Sequence, residues 1–146
     1  MNRDNTPVFV DANIPMYSAG KEHPLQAACR QAMTYIGQEI VDVVTDVEVH
    51  QEILHRYLSL NLSEQARQVS FYFQQLVPVI LPITLDDLMR ARDLSAIYPT
   101  LPARDLIHVA VMLNHGLARI LTADTHFDAV SEIERIPPER LVPDQS

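Results

Sequence analysis

The chain has 146 residues but only one cysteine, three glycines and no long apolar run. One cysteine cannot form an intramolecular disulfide, and a transmembrane helix needs about 20 consecutive apolar residues. Glycine-rich phosphate loops and serine or cysteine nucleophile elbows are also absent from the sequence. These absences exclude a disulfide framework, a membrane span and the chemistries built on those motifs.

The same scarcities predict a cytoplasmic protein that has no contact with a membrane. Residues 1–7 contain no apolar segment of the kind that signal peptides require. A protein with a single cysteine also suits a reducing compartment. Cys29 falls on an apolar helical stripe, and we interpret it as a small core residue rather than a nucleophile.

Basic charge is scarce as well. The formal net charge is −8, and Lys21 is the single lysine among eleven basic residues. A chain of this charge has no global positive field for non-specific binding to nucleic acid. Such a charge still allows a nucleic-acid enzyme that works with bound cations and a local basic patch.

Composition and patterning predict one α/β domain. A chain of this length with 47% hydrophobic residues is most simply a single globular domain, residues 1–146. Short apolar segments at residues 7–10, 41–44 and 120–122 predict strands, and longer amphipathic segments between them predict helices. This alternation predicts a small, mostly parallel central sheet.

Capping residues predict where the helices begin and end. Residues 45–48 and 84–87 each have a threonine followed three residues later by an acid, the pattern of a capping box. Ser63 is the predicted N-cap of the helix between them. The apolar segment 103–115 predicts a centrally packed helix, with Gly116 as its C-cap.

Four carboxylates lie at the edges of otherwise apolar segments: Asp11, Glu52, Asp105 and Asp124. Asp11 and Asp124 each follow an apolar strand, and parallel sheets bind ligands at the carboxyl ends of their strands. Acids gathered in one pocket repel each other unless protons or cations neutralise them. Because oxygen ligands suit Mg²⁺ or Mn²⁺, we predict a metal site formed by these four residues.

Each of the four acids also has a purely structural interpretation. Asp11 and Asp124 fit turns or helix N-caps, Asp105 fits the positive end of a helix, and Glu52 fits a solvated helix face. A carboxylate with a histidine three residues later occurs twice, a spacing that di-iron helical bundles also use. Such a bundle needs four long helices, and the sequence does not predict them. We interpret His108 as a hydrogen-bonded core histidine.

Four stretches of the sequence resemble the PIN-domain family, especially toxin nucleases of the VapC kind. These stretches are residues 8–13, 45–57, 103–110 and 121–127, and each contains one of the four acids. They occur in the order found in the family and span almost the whole chain. The resemblance implies a three-layer α/β/α sandwich with a parallel central sheet.

The resemblance also implies a ribonuclease that depends on Mg²⁺ or Mn²⁺. Such an enzyme would hydrolyse RNA phosphodiester bonds as the toxin of a type II toxin–antitoxin pair, with a cognate antitoxin as its protein partner. By this resemblance the metal ligands and catalytic residues would be Asp11, Glu52, Asp105 and Asp124. Asn13 would support Asp11 through a hydrogen bond.

Residues near these motifs suggest further contacts. Arg104 and Arg56 are candidate phosphate contacts at the rim of the site. We interpret His126 as a surface turn residue, with a phosphate contact as the alternative. The aromatic run 71–73 cannot face one core entirely, so its exposed part would suit a homodimer or an antitoxin.

Two other functions fit the same residues. In the first, the chain is a non-catalytic metal- and protein-binding module of the same fold, whose acids hold a structural ion. In the second, it is a metal nuclease that acts on DNA or on flap structures. The second function calls for a long basic clamp, which this short acidic chain lacks.

Overall fold

The computed structural model describes residues 6–141, in which five strands form one sheet. The strands are β1 (Val8–Val10), β2 (Val43–Asp46), β3 (Ile80–Leu81), β4 (Arg119–Leu121) and β5 (Glu134–Ile136). Neighbouring strands are parallel throughout, in the order β3-β2-β1-β4-β5. The carboxyl ends of all five strands therefore lie at one edge, with β1 in the centre.

Six α-helices accompany this sheet within residues 6–141: α1 (Asn13–Ala19), α2 (Gln26–Gly37), α3 (Val47–Ser59), α4 (Ser63–Leu76), α5 (Leu85–Ile97) and α6 (Ala103–Asn114). α1 packs against α2, α3 against α4, and α5 against α6. The predicted α/β class with a parallel sheet is confirmed.

The central strand lies wholly inside the protein. All three residues of β1 are buried, and α6 contributes a continuous buried segment, Val109–Met112. A strand covered on both faces is expected to be apolar at every position, as the sequence of β1 is. Cys29 is fully buried in the same core, as predicted.

The predicted capping box at residues 45–48 is wrong. Thr45 belongs to β2, and its hydroxyl donates a hydrogen bond to the Val10 carbonyl at 2.9 Å. The N-cap of α3 is Asp46, whose side chain accepts a hydrogen bond from the Val49 amide at 2.9 Å. Because the Thr45 hydroxyl joins β2 to β1, the next residue caps the helix.

The other predicted caps have mixed outcomes. Ser63 is the first residue of α4 rather than its cap, because the N-cap position is Leu62, which makes no side-chain capping bond. The capping box of Thr84 and Asp87 is confirmed at the start of α5. Gly116 lies one residue beyond the C-cap of α6 at φ +67°, a backbone conformation that favours glycine.

Two predictions reach beyond the described part of the chain. The absence of a signal peptide concerns residues 1–7, of which residues 1–5 lie outside it. The single domain over residues 1–146 likewise extends past both described ends and stays a prediction. Between residues 6 and 141, no helix is long and apolar enough to cross a membrane.

We expect Asp87→Ala to destabilise the protein by about 1–2 kcal/mol, because the capping box at α5 is lost. Asp87 accepts a hydrogen bond from the Thr84 amide at 2.9 Å and another from the Asn114 side chain at 2.7 Å. The free energy of unfolding in urea measures this loss. Asp86→Ala, at the exposed neighbouring position, is the control. Equal stability of the two variants would contradict the assigned cap.

Candidate metal centre

Asp11 lies at the carboxyl end of the central strand and is held in place by hydrogen bonds. Its Oδ1 accepts from the Ala12 amide at 2.7 Å, and its Oδ2 accepts from the Thr122 hydroxyl at 2.8 Å. The carboxylate is buried. Ala12, not Asp11, occupies the N-cap position of α1, so the helix-cap interpretation of Asp11 does not apply.

Asn13 connects the end of β1 to the segment after β4. Its amide group donates to Asp11 Oδ2 at 3.3 Å and to the Thr122 hydroxyl at 2.8 Å. Its carbonyl oxygen accepts from the Ala123 amide at 3.1 Å. Thr122 donates its one proton to Asp11 and accepts from Asn13, so the three side chains fix each other's orientation.

Asp124 combines a structural contact with a position at the site. It is the N-cap of a 3-10 turn at Thr125–Ala129, where its Oδ1 accepts from the His126 amide at 2.9 Å. The turn interpretation of Asp124 therefore applies. Its Oδ2 has no hydrogen bond from any residue between 6 and 141, so this oxygen is available to a ligand.

Asp105, Asp124 and His126 form the acidic group in the described residues whose ligand atoms are close enough to share a metal ion. One ligand atom of each lies within 4.8 Å of the others. His126 Nδ1 is 3.4 Å from Asp105 Oδ2 and 3.1 Å from Asp124 Oδ1. His126 was not among the metal ligands predicted from the sequence. Its side chain is 54% exposed, as its interpretation as a turn residue requires.

The electrostatics of Asp105 show that three acids from separate elements converge. Burial raises the pKa of Asp105, and the negative charges of Asp11 and Asp124 raise it further, to about 6. The positive charge of His108 and the hydrogen bond from His126 act in the opposite direction. Asp105 therefore loses its proton only near neutral pH. A site in which a carboxylate is this hard to ionise favours a positive ion between its acids.

Glu52 lies near the cluster but is paired with an arginine. Burial and then the charge of Asp11 raise the pKa of Glu52, and Arg104 opposes both. Arg104 Nη1 is 2.6 Å from Glu52 Oε1, and Arg104 Nε is 3.6 Å from Glu48 Oε1. Arg104 is therefore part of an ion-pair network. Arg56 is exposed one turn further along α3.

A buried ion pair that was not predicted from the sequence lies beneath the cluster. Asp46 and His108 are both fully buried, and His108 Nδ1 lies 2.8 Å from Asp46 Oδ2. His108 is thus a hydrogen-bonded core histidine with a charged partner. Asp46 is the last residue of β2 and Asp11 directly follows β1, and this shared position at a strand end was the signal in the sequence that could have revealed it.

His108 also faces the predicted metal ligands. Its Nε2 is buried, has no hydrogen-bond partner, and lies 3.9 Å from Asp11 Oδ1. Burial alone would lower the pKa of His108, but the hydrogen bond and charge of Asp46, with the charges of Asp11 and Glu52, raise it to about 9. The imidazole is therefore protonated at neutral pH and offsets part of the negative charge.

The donor set fits a hard divalent cation. Asp11, Asp105 and Asp124 supply carboxylate oxygens from β1, α6 and the segment after β4, and their mutual repulsion is relieved by positive charge. Glu52 adds a fourth carboxylate at the edge. The parallel sheet with this cluster at its carboxyl edge defines an α/β domain with an acidic candidate metal site.

Comparison with known proteins identifies the family. The sequence model described as PIN domain matches residues 8–133. Ribonuclease VapC13 of Mycobacterium tuberculosis is 36% identical over 129 residues, which are 88% of this chain and 98% of that protein. The chain belongs to the PIN domain family, so the resemblance carried by the four motifs is confirmed.

Solved structures share the fold. Mycobacterium tuberculosis VapC20, described as a sarcin-ricin loop cleaving toxin, aligns with a TM-score of 0.71 at 14% identity and covers 86% of this chain and 96% of its own. A toxin–antitoxin complex from Klebsiella pneumoniae aligns with a TM-score of 0.63 at 18% identity, covering 92% and 99%. The predicted α/β/α fold is confirmed.

We expect Asp105→Asn to stabilise the metal-free protein at pH 8 by roughly 1–3 kcal/mol. The pKa of Asp105 is about 6 in the folded state against an ordinary 3.8. The folded state therefore binds more protons between these values, and stability falls as the pH rises through them. Denaturation in EDTA at pH 8 measures the difference.

Addition of Mn²⁺ should make wild type more stable than Asp105→Asn, which is the reverse of their order in EDTA. Wild type should gain thermal stability because the ion binds the folded state, whereas Asp105→Asn should gain little. Asp93→Asn, an exposed position on α5, is the control and should behave as wild type. A variant that is less stable in EDTA and equally stabilised by Mn²⁺ would show that Asp105 has a structural role alone.

Proposed function

We propose that this chain is a Mg²⁺- or Mn²⁺-dependent endoribonuclease that acts as the toxin of a toxin–antitoxin pair. The observation that carries the proposal is the convergence of Asp11, Asp105 and Asp124 at the carboxyl edge of the sheet. The relatives support it, since VapC13 is named a ribonuclease and VapC20 is described as a sarcin-ricin loop cleaving toxin. An RNA substrate also agrees with the predicted cytoplasmic location.

The roles of the acids follow from their surroundings. When bound, the divalent cation supplies Lewis-acid stabilisation of the charge that develops on the phosphate. Asp11 is fixed by Thr122 and Asn13, so its carboxylate is oriented before any ligand arrives. Asp105 on α6 and Asp124 after β4 would hold the ion together with Asp11, and Glu52 would be the fourth acid.

The protonated His108 acts beneath this group. Its charge reduces the repulsion that the acids would otherwise experience in the metal-free protein, and Asp46 keeps the proton on the ring. Because both side chains are fully buried, they do not contact the substrate. We assign them a positioning role.

We also propose an antitoxin protein as the partner. On α4, Phe73 is fully buried, whereas Phe71 is 63% and Tyr72 is 59% exposed. Exposed neighbouring aromatic side chains are typical of protein interfaces. The toxin–antitoxin complex with the same fold supports this proposal. A homodimer, through α4 or the exposed leucines at Leu58, Leu60 and Leu62, stays a prediction.

We expect Asp11→Asn to lower Mg²⁺-dependent RNA cleavage by at least about 100-fold, because the oriented charge at the centre of the site is removed. Gel analysis of end-labelled RNA, with Mg²⁺, Mn²⁺ or EDTA, measures cleavage. Asp93→Asn removes the same charge at an exposed position and should retain full activity.

The same assay tests the other two functions. Equal cleavage by Asp11→Asn and wild type would remove the proposed mechanism. Binding of Mn²⁺ in calorimetry without cleavage of any RNA would favour the non-catalytic module. Faster cleavage of single-stranded or flap DNA than of RNA by the same preparation would favour the DNA-directed nuclease.

A further inference from the structure

A cavity away from the acidic cluster is lined in part by two helices, α1 and α3, that also carry residues of the candidate metal centre. Its volume is about 400 Å³, and it is bordered by α1, the segment after α1, the end of α3 and the start of α4. The residues that matter here are two aromatic rings, a histidine and two cations: Tyr17, Tyr57, His23, Lys21 and Arg56. We call this cavity the tyrosine pocket.

The tyrosine pocket continues the surface of the candidate metal centre. Tyr17 lies four residues after Asn13 on α1, and Arg56 lies four residues after Glu52 on α3. Residues four apart occupy the same helix face, about 6 Å along the axis. α1 and α3 each carry a residue of the metal centre, and each therefore carries a residue of the pocket one turn further along the helix.

The aromatic groups in the pocket offer flat surfaces. The rings of Tyr17 and His23 stack at a centroid distance of 4.1 Å with 13° between their planes. The Leu25 amide donates a hydrogen bond to His23 Nδ1 at 3.0 Å. The loop after α1 therefore holds an oriented imidazole against Tyr17.

The hydroxyl groups of the pocket lack partners. Tyr57 is 6% exposed, yet neither its hydroxyl nor that of Tyr17 makes a hydrogen bond to any residue in the described range 6–141. Neither oxygen is among the fully buried, unpartnered side-chain atoms of residues 6–141, so both are accessible from the cavity. Two accessible hydroxyl groups that line one cavity are placed to hydrogen-bond a polar ligand.

The charges of the pocket favour an anion at its mouth. Lys21 and Arg56 are exposed and make no ion pair with any of residues 6–141, although the chain has a net charge of −8. Glu22 also borders the cavity, so the two cations outnumber the acid. An arginine fork and a lysine ammonium are suited to neighbouring phosphates.

We propose that the tyrosine pocket binds one unpaired base of the RNA substrate, next to the phosphate that is cleaved. Tyr17 and His23 stack on the base, the Tyr57 hydroxyl hydrogen-bonds it, and Lys21 and Arg56 contact the flanking phosphates. This inference rests on the proposed ribonuclease function and extends it, since the pocket would select the nucleotide at one position beside the cut.

RNA binding measured in EDTA tests the pocket independently of the metal-dependent cleavage. Fluorescence anisotropy with a labelled single-stranded RNA should show about 10-fold or greater weakening for the double variant Lys21→Gln/Arg56→Gln, with a shallower dependence on salt. The control Arg67→Gln/Arg92→Gln makes the same change of charge at exposed positions on α4 and α5. Equal weakening by both pairs would mean general electrostatics and would overturn the proposal.

Sequencing of the product ends tests base recognition. Tyr57→Phe removes one hydroxyl group and His23→Ala removes the stacked ring, so each should relax the nucleotide preference at a single position beside the cut. Thermal unfolding in parallel shows whether each variant is folded, and Tyr57→Phe keeps the aromatic packing if His23→Ala does not fold.

The outcomes distinguish this proposal from the function on which it rests. If wild type cleaves RNA and both variants keep its sequence preference, the pocket proposal fails and the ribonuclease remains. If wild type cleaves no RNA, the proposed function fails and the pocket proposal fails with it. Loss of antitoxin binding by the folded variants, with unchanged RNA binding, would make this cavity a protein-docking site and would also overturn the proposal.

Discussion

Negative charge gathered at the end of β1 is the constraint on which the site depends. Asp11, Asp105 and Asp124 come from three parts of the chain, and burial together with the charges of Asp11 and Asp124 raises the pKa of Asp105 to about 6. The fold tolerates this arrangement because buried hydrogen-bond donors hold Asp11 and a buried imidazolium lies 3.9 Å from it. Such compensation is partial, so the metal-free protein retains an excess of negative charge that favours a cation.

Much of this arrangement could be predicted from the sequence because burial leaves a clear pattern. The apolar strands and the acids that follow them, Asp11 and Asp124, were identifiable because a parallel sheet presents its strand ends at one edge. The nearly all-apolar α6 likewise indicated a central helix with Asp105 at its inner end. Each of these inferences needed only residues that are near one another in the chain.

The features that were missed depend on residues far apart in the chain. Thr45 and Asp46 are both good N-cap residues, and the choice between them is made by the Val10 carbonyl, 35 positions away. Once Thr45 is bonded to β1, Asp46 is directed inward, where it meets His108 across 62 positions. The position of Asp46 at a strand end marks it as a candidate for the site, but the capping pattern does not give His108 as its partner, because that contact depends on the fold.

The ion pair of Glu52 with Arg104 bears on two roles that the sequence assigned separately. Arg104 contacts Oε1 of Glu52, and Oε2 has no hydrogen bond within residues 6–141. A carboxylate has two oxygens, so Glu52 can bind a cation through Oε2 and keep its bond to the guanidinium. Arg104 is then held beside the metal centre through Nη1 on Glu52, with Nε 3.6 Å from Glu48, and its Nη2 is available to a phosphate. The two assignments are therefore compatible in one geometry.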